Sequence, residues 1–454
     1  MRLATLLCML LFAGCATEPT TESPSADPEP EAPEVERPNW VENAVLYEVS
    51  VRSFTEEGTF QAIIPRLDAL KAMSVTTIWL MPIHPVGEAE RKGRLGSPYS
   101  VRDYRAVDPA FGTLEDFRAL VDATHERGMT LILDWIANHT ARDHAWTQAH
   151  PDWYTQDEAG TIVHPEGTDW TDVADLNYDN PAVHEAMAAA MQYWVETFEV
   201  DGFRCDVAGM VPEAFWQETL SQLRTLKPLM LLAEGDDPWL HEAGFDLTYG
   251  WNTFHALKDV WDGAPPDSLY AKLEAEQALY PPDALRLRFI TNHDETSWDE
   301  AAVTMYDGVE GTKAAMAVAA TLPGVPLLYN GQEVAAPQRM NLFEDEKIDW
   351  ALNPELREFY TALLGLSRNS EALRMGSFRP LSAGDDVIAY IREHESERVL
   401  VVVNPRASEQ EVVLPEAALG TAMQDVFTDA EASTAFALAP YGIRLFRGLA
   451  ARAD

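Results

Sequence analysis

The stretch Gly202-Phe203-Arg204-Cys205-Asp206 decides the fold prediction. It follows a helical stretch and precedes a turn of small residues, so we predict a short buried strand. Side chains alternate along a strand, so Arg204 and Asp206 face one way and Phe203 and Cys205 face the other. A buried parallel strand is normally apolar throughout, and a buried ion pair is costly unless its members pair or react. The stretch therefore predicts a functional centre inside a buried sheet.

Two further acids follow neighbouring predicted strands. Glu234 is expected to close a strand at Leu229–Glu234, and Asp294 to close one at Leu287–Asp294. The carboxyl ends of barrel strands form the active-site face in enzymes of that architecture. Three carboxylates at three strand ends indicate a site that cleaves glycosidic bonds.

The remaining pattern from Asn39 onward alternates short apolar runs with amphipathic helical stretches. Eight such strand–helix units predict an α/β fold, a (β/α)8 TIM barrel over 39–139 and 181–371. An open doubly wound sheet is the alternative, but no Gly-rich phosphate loop supports it. Residues 140–180 interrupt the rhythm and predict a small inserted domain. Residues 372–454 carry short strand patterns and predict a C-terminal antiparallel β domain.

The first residues have the pattern of a targeting segment. Arg2 precedes an apolar run that is too short to span a bilayer and ends at Cys15. Residues 1–15 resemble a bacterial lipoprotein signal that is cleaved before a lipidated Cys15, and an ordinary secretory signal is the alternative. Residues 16–38 are Pro-rich and acidic, which predicts a disordered tether. We therefore expect an exported protein, either anchored in the cell envelope through the lipid alone or secreted.

The balance of charge excludes some partners. There are 74 acidic against 33 basic residues, which gives a formal charge of −41. Such a field repels nucleic acid and anionic membranes, so it favours a neutral or cationic substrate. Salt adaptation and an acidic surface without special meaning both explain the charge. No feature indicates the oligomeric state. Only Cys205 lies in the predicted folded part, which excludes an intrachain disulfide after processing.

Seven segments resemble motifs of the α-amylase family of glycoside hydrolases (family 13), in order and spacing. They are Ser97–Tyr104, Asp134–His139, Val173–Asn177, Gly202–Asp206, Leu232–Glu234, Phe289–Asp294 and Tyr329–Glu333. The resemblance covers residues 40–370. The resemblance identifies the insertion with the family's domain B and the tail with its β-sandwich domain C.

The resemblance implies roles for individual residues. Asp206 would be the nucleophile, Glu234 the general acid/base and Asp294 a stabiliser of the transition state. Arg204 would orient Asp206, His139 and His293 would bind sugar hydroxyls, and Tyr99 would stack on the sugar ring. The expected activity is retaining cleavage of α-glucosidic, mainly α-1,4, bonds in maltooligosaccharides or other starch-derived α-glucans.

The chemistry of the residues agrees with that expectation. A retaining enzyme needs one ionised and one protonated carboxyl about 5–5.5 Å apart. We expect Arg204 to lower the pKa of Asp206, and the charge of Asp206 to raise the pKa of Glu234. Two rival functions stay open: a transglycosidase that uses the same site, and a non-catalytic glucan-binding protein.

No cofactor is required by this chemistry, but the resemblance makes calcium possible. Asn138 and Asp175 would supply oxygen ligands. The residues after Asp206 are Val207-Ala208-Gly209-Met210, where many relatives have Lys-His. This departure weighs against calcium, because the His supplies a calcium ligand in some members.

Overall fold

Eight parallel strands close into a barrel in the computed structural model, which describes residues 37–450. In chain order the first ten strands are β1 (Leu46–Val49), β2 (Thr77–Leu80), β3 (Thr130–Trp135), β4 (His139–Ala141), β5 (Val173–Asp175), β6 (Gly202–Cys205), β7 (Met230–Ala233), β8 (Leu247–Tyr249), β9 (Leu285–Arg288) and β10 (Val325–Tyr329). The barrel order is β1-β10-β9-β8-β7-β6-β3-β2, while β4 and β5 pair with each other outside it. The predicted barrel is confirmed.

Most helices follow the barrel strands, and the others lie in the insertion or beside the C-terminal sheet. They are α1 (Val51–Phe54), α2 (Phe60–Ile63), α3 (Leu67–Ala72), α4 (Leu114–Glu126), α5 (Ala145–Ala149), α6 (Pro181–Phe198), α7 (Glu213–Arg224), α8 (Trp239–Glu242), α9 (Trp251–Trp261), α10 (Asp267–Leu279), α11 (His293–Trp298), α12 (Ala302–Met305), α13 (Val309–Ala319), α14 (Leu356–Asn369) and α15 (Glu371–Met375). Among the described residues, no helix combines the length and apolarity that a membrane crossing requires.

The register of β6 explains how its charged residues reach the barrel interior. Asp134 of β3 pairs with Arg204, and Arg204 pairs with Leu232 of β7. Paired residues of neighbouring strands point to the same face. Phe203 and Cys205 pack into the large core between strands and helices, whereas Leu232 belongs to the separate inner core. The predicted alternation along this strand therefore separates the barrel interior from the outer core.

The insertion is built on the antiparallel pair β4–β5, with α5 between the two strands. The C-terminal region forms a five-stranded antiparallel sheet and a two-stranded one. Its strands are β11 (Ser377–Pro380), β12 (Ile388–His394), β13 (Glu397–Val403), β14 (Gln410–Val413), β15 (Thr421–Asp425), β16 (Ala435–Leu438) and β17 (Ile443–Leu449). The predicted antiparallel class is confirmed, and β11, β15 and β16 are additional to the predicted strands.

One local prediction is wrong. The strand expected at Leu287–Asp294 ends at Arg288, and Asp294 lies in the first turn of α11, where the Asn292 side chain accepts the Glu295 N–H at 2.9 Å. The helical stretch before β2 is divided by a 3₁₀ turn at Ile64–Arg66, where Pro65 lacks an N–H.

Gly202 yields a test of the packing that starts β6. Its φ is +151°, and a Cβ there would lie 1.9 Å from the carbonyl oxygen of Met230. We expect Gly202→Ala to lower the free energy of unfolding by more than about 4 kcal/mol, because backbone strain and backbone overlap add. Urea titration followed by circular dichroism measures the change.

Gly128→Ala is the matched control. Gly128 also has a positive φ, +67°, but open space surrounds its Cβ position. We expect this variant to lose only about 1–2 kcal/mol. Equal losses in the two variants would contradict a close approach at Gly202.

Candidate active site

The guanidinium of Arg204 is fully buried at the carboxyl end of the barrel and contacts three carboxylates. Nη1 donates to Asp134 Oδ1 at 2.8 Å and to Asp206 Oδ1 at 2.9 Å. Nη2 lies 2.9 Å from Glu234 Oε2, without the alignment of a hydrogen bond. Three strands thus present acids to one cation, which offsets part of the cost of burying them.

The turn after β6 holds Glu234. Val207 has a left-handed backbone, with φ 37° and ψ 47°, and its N–H donates to Glu234 Oε2 at 2.7 Å. A β-branched residue in this conformation is strained. This backbone conformation points the Val207 N–H at Oε2 of Glu234, and Nη2 of Arg204 approaches the same oxygen.

Asp206 departs from the expected protonation behaviour. Burial raises its pKa well above the ordinary value, the charge of Glu234 raises it further, and Arg204 lowers it. The expectation that Arg204 leaves this pKa below its ordinary value is therefore wrong, because desolvation and a second carboxylate outweigh the guanidinium.

Tyr99 and His293 form a second group of polar side chains, which is joined to the first through Asp134. The Tyr99 hydroxyl donates to Asp134 Oδ2 at 3.1 Å and lies 2.6 Å from His293 Nε2, and the two rings stack with centroids 5.4 Å apart. Asp294 Oδ2 lies 3.3 Å from the same nitrogen. One face of Tyr99 therefore packs on His293.

His293 has a second acidic partner that the sequence analysis missed. Its Nδ1 is hydrogen-bonded to Glu48 Oε1 of β1, and both residues are buried. Burial alone would lower the pKa of His293, but Asp294 and Glu48 raise it to about 9. His293 is thus a cation at neutral pH and donates from both ring nitrogens. The signal for Glu48 was present, because an acid inside the apolar strand Leu46–Val49 is as unusual as Arg204 in β6.

His139 stands on the insertion side, at the first position of β4. It is 3% exposed, its ring lies 5.4 Å from that of Trp170, and burial lowers its pKa to about 4. A neutral imidazole at neutral pH can both donate and accept a hydrogen bond. Its chemistry therefore differs from that of His293.

A cleft of about 570 Å³ joins these groups. The predicted residues Tyr99, His139, Asp206, Glu234 and Asp294 line it, while Arg204 and His293 lie behind them. Additional lining residues, which were not predicted, are Lys92, Asp169, Trp170, Asp172, Val207, Trp298, Leu342 and Phe343. They come from loops without a motif, so only their position marks them.

The two calcium candidates lie beside the β4–β5 pair. Asn138 and Asp175 are close, since Asp175 pairs with His139 across β4 and β5. Calcium takes six to eight oxygen ligands. Within residues 37–450, no group of three or more His, Cys, Asp or Glu side chains is arranged to hold a metal ion. We derive no step through calcium, and a dependence on it stays a prediction.

Comparisons with known proteins show which proteins this chain resembles. The model of the α-amylase catalytic domain matches residues 40–226, and that of the maltogenic amylase C-terminal domain matches residues 378–445. The α-amylase MalA of Haloarcula japonica is 30% identical over 403 residues, which cover 85% of this chain and 58% of that protein. A cyclomaltodextrinase of Thermoanaerobacter pseudethanolicus is 28% identical, over 78% of this chain and 65% of its own length. The crystal structure of the maltogenic α-amylase AmyB from Thermotoga neapolitana superposes with a TM-score of 0.83 at 30% identity, over 90% of this chain and 99% of that one.

The protonated state of His293 predicts a pH dependence of stability. Its pKa in the folded protein, about 9, is above the ordinary 6.5, so the folded state binds the proton more tightly than the unfolded state. The stabilisation is complete below pH 6.5 and is lost as the pH rises through 9. It amounts to at most about 3 kcal/mol. Urea titrations across this pH range measure the loss.

Two variants test whether deprotonation of His293 causes this loss of stability at high pH. His293→Gln should remove this part of the pH dependence, and Glu48→Gln should reduce it because one of the two acids that raise the pKa becomes neutral. The exposed His255→Gln is the control and should leave the slope unchanged. An unaltered slope in His293→Gln would show that another group titrates.

Proposed function

The chain belongs to the α-amylase family of glycoside hydrolases, and on that premise we propose that it hydrolyses α-glucosidic bonds, mainly α-1,4, in starch-derived maltodextrins with retention of configuration. The observation that carries the proposal is the pair Asp206 and Glu234, two carboxyls on one guanidinium in one cleft. Retaining glycosidases need two such groups on either side of the scissile bond.

The two carboxyls are engaged in a way that suits unequal roles. Asp206 is bound by Arg204 through Oδ1, so Oδ2 is the oxygen available to attack the anomeric carbon. Glu234 is held through Oε2 by Val207 and Arg204, so Oε1 is available to carry the proton. Of these two carboxyls, only Asp206 receives an aligned hydrogen bond from Arg204, which offsets part of the cost of burying the charged form of Asp206.

The reaction proceeds in two steps. Asp206 displaces the leaving sugar while Glu234 protonates the departing oxygen, and a covalent glycosyl-enzyme forms. A water molecule then attacks the anomeric carbon of this intermediate while Glu234 accepts a proton from the water. The bond between the sugar and Asp206 breaks, which frees the Asp206 carboxylate. The α configuration is inverted twice and is therefore retained.

The surrounding residues suit a neutral sugar. We propose that Asp294, His293 and His139 bind ring hydroxyls, and that Tyr99 packs against the sugar. The cationic His293 can donate, and the neutral His139 can donate or accept, so together they match hydroxyl groups that do both. Five acids line the cleft and disfavour a polyanionic ligand.

The substrate class rests on the relatives. Their names describe α-amylase, cyclomaltodextrinase and maltogenic α-amylase activity of those proteins. All three act on α-linked glucose polymers or oligomers, so maltodextrin is the simplest shared substrate. The chain spans 58% of the length of the Haloarcula relative, so its substrate is proposed and not transferred.

We also propose that the protein is exported and lipid-anchored through Cys15. Residues 1–36, which carry the signal and most of the tether, lie outside the described residues. The support is the short apolar run that ends at Cys15 and the acidic, Pro-rich stretch after it. A tether of this kind would hold the enzyme where soluble maltodextrins enter the cell envelope.

Asp206→Asn tests the nucleophile. We expect it to keep the fold and to lose about five decades of kcat/KM on maltooligosaccharides, or about 7 kcal/mol of transition-state stabilisation. Glu234→Gln should lose a similar amount on maltooligosaccharides but far less on an aryl glycoside, whose leaving group departs without protonation. Steady-state kinetics on both substrates separate the roles.

Asp237→Asn is the control, because Asp237 is an exposed acid in the loop that carries Glu234. It should leave kcat/KM unchanged. Full activity of Asp206→Asn, or a β-anomeric first product by proton NMR, would refute the retaining mechanism proposed for these residues.

Cys15→Ser tests the anchor. We expect the variant to move from the membrane fraction to the soluble or secreted fraction with unchanged specific activity, because serine cannot receive the thioether-linked lipid. Cys8→Ser, in the same apolar run, should stay in the membrane fraction. A wild-type protein found only in the soluble fraction would exclude the anchor.

A further inference from the structure

The loop of residues 87–96, between β2 and α4, crosses the barrel mouth and contacts two other loops. On the insertion side, Lys92 Nζ donates to the carbonyl of Asp169 at 2.9 Å and lies 3.4 Å from Asp172 Oδ1. The N–H of Glu88 donates to Asp143 Oδ2 at 3.0 Å. The loop is therefore joined to the insertion at two points.

The other end of the loop is joined to the segment after β10. Leu95 N–H donates to the carbonyl of Phe343 at 3.0 Å, and the half-buried Arg52 donates to the carbonyls of Gly96 and Leu342, each at 3.0 Å. A Cβ on Gly93 would lie 2.4 Å from Phe343 Cβ, which shows how closely the two segments pack. These backbone contacts hold the junction more firmly than the exposed Arg94–Glu344 pair, since exposed pairs contribute little.

Residues 87–96, the part of the insertion that they contact and the segment after β10 together form a continuous wall. The barrel order shows where this wall lies. The wall joins the loops that follow β10, β2 and β3, and β1 lies between β10 and β2. In the ring of eight strands, β1 is four strands away from β7 in either direction. Glu234 directly follows β7, so the middle of the wall stands across the mouth from Glu234, while its insertion end, after β3, lies two strands from β7.

This position matters because Glu234 is the proposed acid. The leaving part of the substrate must lie next to the acid that protonates its oxygen. The part that becomes bound to Asp206 extends the opposite way, past Tyr99 and Asp294, toward the wall. Ser297, in the helix of Asp294, is hydrogen-bonded to the carbonyl of Met340, so the wall is continuous with that side of the site.

We propose that this wall, with Lys92 and Phe343 facing the cleft, stops the glucan chain on the glycone side, so that the enzyme releases short products of one length from non-reducing ends. The inference rests on the proposed hydrolase activity and adds the direction of attack and the preferred substrate, a short maltodextrin with a free non-reducing end. Both residues line the cleft together with the three acids. In an α-1,4-glucan the glycone part is the part that carries the non-reducing end, so a barrier there limits product length.

The experiment uses the wild-type enzyme and two aryl maltoheptaosides that differ only at the non-reducing end, one free and one blocked by an ethylidene group. We expect kcat/KM for the blocked substrate to be at least about 100-fold lower, because the added group meets the wall. Chromatography of the first products from the free substrate should show one dominant glycone length.

Lys92→Ala/Phe343→Ala tests the assignment of the wall to these side chains. The double variant should release longer glycone products and narrow the difference between the two substrates. Arg94→Ala is the matched control, since Arg94 lies in the same loop but is exposed and does not line the cleft. It should leave the product pattern unchanged.

Each result decides a separate point. Equal rates on blocked and free substrates, with mixed product lengths, would overturn the wall as a barrier while leaving the hydrolase intact. An unchanged pattern in the double variant would overturn the role of Lys92 and Phe343. Failure to cleave either substrate would overturn the proposed function and the inference together.

Discussion

The site depends on one buried cation, Arg204, and on the carboxylates that surround it. Its guanidinium is fully buried and contacts Asp134, Asp206 and Glu234, so one positive charge faces three acids. Three ionised carboxylates on one cation would leave an uncompensated buried charge, which is costly. Burial and this excess of acids raise the pKa of Asp206 well above its ordinary value, although Arg204 lowers it. The proposed retaining mechanism needs one protonated and one ionised carboxyl, which suits a site where one cation faces several acids.

A second buried network is connected to the first by a hydrogen bond between Tyr99 and Asp134. Glu48 and Asp294 hold His293 as a cation, and Tyr99 links His293 to Asp134, which also binds Arg204. Buried polar networks of this kind are rigid when every member is paired. The two networks therefore fix the orientation of the groups that would surround a sugar ring. This coupling explains why acids occur in β1 and β3, where a packed barrel interior would otherwise be apolar.

The barrel supplies the chemistry, while the loops at its mouth shape the cleft. The reacting groups sit directly after β6 and β7 or in α11. The walls come from the insertion, the 87–96 loop and the segment after β10, which are held together by hydrogen bonds between loops. Loops of this kind vary more easily than barrel strands, so they are suited to set chain length without disturbing the acids.

By itself, the sequence determined the barrel, the antiparallel C-terminal region, the family and the motif residues that gather at the cleft. Those features follow local patterns: period-two alternation exposes Arg204 and Asp206 on one face, and short motifs repeat the order of a known family. Only the tertiary structure revealed the helical setting of Asp294, the Glu48–His293 pair and the wall through Lys92 and Phe343. It also reversed the expected direction of the pKa of Asp206. Glu48 and His293 are 245 positions apart in the chain, and a pKa sums burial with every nearby charge. Contacts over such separations, and the desolvation that accompanies them, exist only once the chain has closed on itself.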